Sequence, residues 1–143
     1  MWLFTRYGFY SIASARQPNG SLDTQTVMIR ARRVAHLTNL QKRFPALAVA
    51  EILTFRNRDY CCRLIVSKEV WVGIVSQLAQ EQEWSNFKNE VAEYQGKADS
   101  DYVHALHEVW SVMFTLQKKT EPFKEQTHPG AVTPAVQRPR RSS

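Results

Sequence analysis

Arginine is the residue type in this chain whose number and spacing could do chemistry. Arg30, Arg32 and Arg33 form one cluster, and Arg56, Arg58 and Arg63 form a second. The first 66 residues hold ten Lys and Arg against three Asp and Glu, a balance of +7. Residues 67–120 hold five against eight, and residues 121–143 four against two, which leaves +6 for the 143 residues. A guanidinium fork binds phosphate bidentately and stacks on flat rings. Basic charge concentrated in one half of a chain therefore points to an anionic partner, or to neutralisation by the chain's own acidic half.

Other chemistry has thinner support. His104, His107 and Glu108 fall on neighbouring turns of one helical stretch, with His104 and Glu108 spaced as an i, i+4 pair. They are candidates for acid–base work, and His104 with His107 for the start of a metal site. The spacing is not His-Glu-x-x-His, however, and no third ligand stands nearby in sequence. The ordinary reading is a polar helix face, and the same reading extends to His36. Cys61 and Cys62 are adjacent and have no second cluster to complete a zinc site. There is no Gly-rich phosphate loop. No cofactor and no metal are expected.

The elements that must position the arginines follow from periodicity. Residues 2–13 are rich in aromatic and β-branched types and read as a first strand, with Gly8 as a bulge or close-approach point. Gln17-Pro18-Asn19-Gly20 reads as a turn. Residues 26–32 alternate, with Val27, Ile29 and Ala31 on one face and Met28, Arg30 and Arg32 on the other, as a half-buried strand should. Val34, Leu37, Leu40 and Phe44 then recur at helical spacing up to Pro45. A third strand is expected at 48–55, a polar turn at Arg56–Asp59 and a fourth strand at 60–66. Ser67 is placed to cap a second helix bearing Trp71, Ile74, Val75 and Leu78. Ser85 can cap a short helix that Gly96 ends. The last helix opens at Asp99–Asp101, where acidic groups suit its positive end.

This order predicts an α+β fold: a four-stranded antiparallel sheet with helices mainly on one face. The ββαββα arrangement is that of a ferredoxin-like domain permuted by one strand, with extra C-terminal helices. Residues 1–119 form the domain, and 120–143, rich in Pro and Thr and basic at the end, read as a disordered tail. A hydrophobic fraction of 43% supplies a core for one domain. Arg6 interrupts the apolar N-terminal run, so it does not read as a signal peptide, and no stretch approaches a membrane span. A soluble, cytoplasmic protein is expected, with no membrane partner.

MWLFTRYGFYSI, TVMIRARR, DYCCR, NFKNEVAEYQG and YVHALHEVWSV together resemble a family of small bacterial proteins. The similarity runs from about Met1 to about Lys119, and Cys61-Cys62 departs from the Arg and Tyr associated with that strand. The resemblance implies a stand-alone small domain and brings no activity or catalytic residue with it.

If Cys62, Leu64 and Val66 face the helices, Arg63 joins Arg30 and Arg32 on the opposite sheet face. Arg33, Arg56 and Arg58 would extend a basic edge, with Tyr7 and Tyr60 as stacking groups. An arginine face with interleaved apolar side chains is in kind a platform for single-stranded nucleic acid. The first expectation is therefore a small basic binding module for RNA or another polyanion. The alternatives are a homodimeric or protein-binding domain and, further off, a phosphodiesterase-like or nuclease-like enzyme using Arg and His. Pairing of the arginines with Glu81, Glu83, Glu90 or Glu93 would remove the first.

Overall fold

The computed structural model describes residues 1–119. An antiparallel sheet of five strands forms its centre: β1 (Trp2–Thr5), β2 (Gly8–Arg16), β3 (Leu22–Ala31), β4 (Leu53–Thr54) and β5 (Cys62–Ser67). Their order across the sheet is β1-β2-β3-β5-β4. Helix α1 (Val34–Arg43) follows β3, and α2 (Lys68–Gln80), α3 (Phe87–Gln95) and α4 (Ser100–Lys119) follow β5. The architecture is α+β, but the expectation of four strands is corrected to five.

The extra strand comes from the N-terminus. Residues 2–13 are not one strand but most of a hairpin, in which Phe4 opposes Phe9 and Thr5 opposes Gly8. The turn residues Arg6 and Tyr7 carry none of the usual turn chemistry. The Thr5 hydroxyl supplies it by accepting from the backbone N–H groups of Tyr7 and Gly8 and donating to the Gly8 carbonyl. A second correction concerns 48–55: only Leu53 and Thr54 pair with β5, because Pro45–Leu47 winds a 3-10 turn first. A third concerns α3, whose cap is Asn86 rather than Ser85; its side chain accepts from the Asn89 N–H. Ser67 caps α2 as its position indicates, and Gly96 ends α3.

Alternation along β3 and β5 divides the sheet. Ile29, Ala31, Cys62 and Leu64 are fully buried beneath α1 and α2, against Leu37, Leu40, Trp71 and Ile74. A smaller cluster lies on the opposite face at the β1–β2 end, where Phe4 and Phe9 meet Val91, Tyr102 and Leu106 of α3 and α4. The helices therefore cover one face with α1 and α2, while α4 reaches round to the edge of the other. Beyond it the second half of α4 is largely exposed, Trp110 by 54%. The expected tail at 120–143 lies outside the described residues.

Candidate nucleic-acid interface

On the face of the sheet away from α1 and α2, one cross-strand row spans all five strands. Trp2 opposes Ser11, Ser11 opposes Arg30, Arg30 opposes Arg63, and Arg63 opposes Leu53. Five strands at about 4.8 Å spacing make this row roughly 19 Å long. Its two arginines stand directly opposite each other, an arrangement that like charges disfavour.

Neither arginine of the row meets a carboxylate among the described residues. Arg30 donates to the Ser11 hydroxyl at 2.8 Å, and its guanidinium lies 4.9 Å from the centre of the Tyr60 ring. Arg63 contacts the Met28 sulfur at 3.5 Å and lies 4.3 Å over Phe55. Its Nε is shielded from solvent with no hydrogen-bond partner among the described residues. Arg32 covers Tyr60 at 4.7 Å and pairs with Asp59 at 2.8 Å, an exposed contact of little strength. Tyr60 thus sits under two guanidinium groups, and Phe9 is 6.5 Å from it, centre to centre.

Of the four acidic residues expected to neutralise this face, Glu81 and Glu90 are used elsewhere. Glu81 and Glu90 take Arg6, which donates to Glu90 at 2.6 Å, and Glu81 also pairs with Arg43. Tyr7 donates its hydroxyl to Glu81 at 2.7 Å, and burial pushes its pKa upward. Tyr7 is therefore in the core beside Phe44 and Tyr94, on the far side of its hairpin turn from the arginine row. Arg33 turns to the start of α4, bonding Asp99 and Asp101 at 2.8 Å each. Arg56 and Arg58 are exposed in the turn before β5. The structure brings together Arg30, Arg32, Arg63 and Tyr60; Tyr7 and Arg33 belong to other networks.

His104 and Glu108 are exposed and 3.9 Å apart on α4, and His107 is exposed on the same helix. No group of three or more His, Cys, Asp or Glu among the described residues is placed to hold a metal ion. Burial pushes the Cys62 thiol up to about 12, which leaves it protonated and a poor nucleophile.

His36 is the residue that sequence reasoning missed. It is not on a polar helix face but 4% exposed, with both ring nitrogens engaged. Nδ1 accepts from the Phe9 N–H at 3.3 Å, so Nε2 carries the proton and donates to Asp99 at 2.9 Å. Its place next to Leu37 and four residues before Leu40, both buried, was the available signal. Beside it a cleft of about 320 Å³ opens between the sheet and α4, lined by Trp2, Phe4, Phe9, Arg32, Leu106 and Val109, among others.

No protein-family model, curated protein or solved structure matches the chain. No helix among the described residues is long and apolar enough to cross a membrane.

Proposed function

We propose that this chain is a small binding module for single-stranded nucleic acid, RNA in the first instance, and that the arginine row is its contact surface. The observation that carries the reading is the opposed pair Arg30 and Arg63, half-buried on the sheet face away from α1 and α2, without carboxylate partners among the described residues and beside Tyr60 and Phe55. An anion bridging two guanidinium groups relieves their repulsion, and the planar guanidinium groups, backed by buried Tyr60 and by Phe55, are themselves surfaces on which a base can stack. Strands β2-β3-β5-β4, with α1 between β3 and β4 and α2 after β5, support reading the scaffold as a permuted ferredoxin-like sheet with β1 added at its edge. Two adjacent free thiols suit a reducing compartment, so the cytoplasm is the proposed place of action.

The test is the salt dependence of binding to a fluorescein-labelled oligouridylate. Each phosphate contact on a single strand contributes roughly 0.7 to the slope of log affinity against log salt. The Arg30→Ala/Arg63→Ala variant should lose about 1.4 from that slope. Absence of binding to RNA or DNA at about 50 mM salt, where such contacts are strong, would end the reading.

One observation favours a second reading, a homodimer. Val109, Trp110, Val112, Met113 and Leu116 are exposed on α4, continuing the helix that Tyr102 and Leu106 pack onto the domain. Antiparallel pairing with α4 of a second copy would cover them and oppose the two helix dipoles. Sedimentation equilibrium distinguishes this, since Trp110→Glu would leave only monomer.

A further inference from the structure

The cleft between the sheet and α4 is walled by aromatic rings on one side and aliphatic side chains on the other. Phe4 and Phe9 stack at 4.7 Å and 26°, and the Trp2 ring meets Phe9 edge-on at 5.7 Å. These three rings line the sheet side, and Ala105, Leu106 and Val109 line the helix side. Its polar groups include Arg32, which lies over Tyr60 and makes an exposed contact with Asp59, together with Arg33 and Asp101. At about 320 Å³ its volume is at the lower end of small-molecule sites.

Trp2 connects this cleft to the arginine row. It stands at one end of the row, opposite Ser11 and next but one to Arg30, and it also lines the cleft. A strand whose phosphates sit on Arg30 and Arg63 would therefore reach the cleft from the row's Trp2 end. We infer that the cleft takes one unstacked nucleobase of the bound strand, with the adjoining phosphate at Arg32. The inference rests on the nucleic-acid reading and adds to it a base-binding position with a direction. Because the walls are apolar, the slot reads ring shape rather than hydrogen-bonding edge, and it accepts any base that stacks well. A flat aromatic wall and the guanidinium beside it favour a ring on an anionic backbone over a flexible acyl chain.

The test uses the full chain and a fluorescein-labelled decauridylate, with anisotropy as the readout. Ala105 is exposed on α4, so Ala105→Trp should fold while its indole fills the slot. Affinity should fall between about fivefold and a hundredfold, the range that losing one base–aromatic stack produces. The salt slope should stay unchanged, because the phosphate contacts remain. An abasic residue scanned along the decamer should match that loss at one position only, and Ala105→Trp should abolish the position's importance. Trp2→Ala, at a site 68% exposed, provides a second variant and should lose affinity in the same direction. Full affinity in both variants and at every abasic position, with a salt slope still dependent on Arg30 and Arg63, overturns the slot and leaves the sheet reading intact. Failure to bind any oligonucleotide overturns both. A fatty acid such as laurate that binds wild type and not Ala105→Trp, while oligonucleotide affinity is unaffected, overturns the slot and assigns the cleft to an acyl chain.

Discussion

Gly8 lies directly beneath the imidazole of His36. A Cβ on Gly8 would stand 2.4 Å from the His36 Cγ, and Gly8 has a φ of +153°. The first residue of β2 and the first turn of α1 therefore touch backbone to ring. That approach lets His36 accept from the Phe9 N–H while donating to Asp99, which in turn accepts from the Tyr102 N–H at the start of α4. One histidine joins the N-terminal hairpin, α1 and α4, the elements that enclose the cleft.

Gly8→Ala is expected to destabilise the fold by about 2–4 kcal/mol, from overpacking against the ring together with the strained backbone. Urea unfolding measures it as a lower midpoint at unchanged slope. A midpoint equal to wild type would remove the close contact from the account.

Burial holds His36 below its ordinary value of 6.5, outweighing the pull of Asp99, while Arg33 acts in the same direction as burial. The groups around it are Asp99, Arg33, Tyr10 and Tyr102. With the native pKa depressed, the unfolded chain takes up the proton first as pH falls. The stability due to neutral His36 is thus fully present above 6.5 and declines as pH drops below it, until the native ring also protonates. Urea midpoints should be lower at about pH 5.5 than at about pH 7.5, a window above most carboxylate titration. Equal midpoints would contradict the assignment.

Arg30 opposite Arg63 should reduce stability in the free protein. Arg63→Leu is expected to raise stability by about 0.2–1 kcal/mol while weakening oligonucleotide binding. Differential scanning calorimetry at low salt, paired with anisotropy, gives both signs. If stability falls and binding is unchanged, the row is a structural device and not a contact surface.

Glu81 receives Arg6, Arg43 and the Tyr7 hydroxyl at once. Glu81→Gln keeps the shape and removes the charge, and it should cost about 1–3 kcal/mol by weakening bonds at partly buried partners. A double-mutant cycle with Arg43→Met should show coupling, since the two share the network. Strict additivity would count against that network.

Strand β3 and strand β5 were legible because a half-buried strand writes its two faces into alternate residues. Val27, Ile29 and Ala31 against Met28 and Arg30, and Cys62 and Leu64 against Arg63, place Arg30 and Arg63 on one face by sequence alone. The hairpin at Arg6-Tyr7 was not legible. Its turn relies on the Thr5 side chain bonding to backbone, and both flanks share the aromatic composition of one continuous strand. Strand 48–55 was overestimated because the 3-10 turn at Pro45–Leu47 continues into backbone turns at Ala48 and Ala50, residues that apolar composition alone assigns to a sheet.

By itself, then, the sequence determined which residues of β3, β5 and the helices share a face, because local burial patterns are encoded within a few neighbours. It also determined that positive charge gathers in the first half. Only the tertiary structure decided which acidic groups meet which arginines, because that depends on residues 27 to 84 positions apart. Arg6 meets Glu90 and Arg33 meets Asp99, whereas Arg30 and Arg63 meet none among the described residues. The same long-range packing made His36 a buried joint and placed Trp2 at once at the end of the arginine row and in the wall of a cleft.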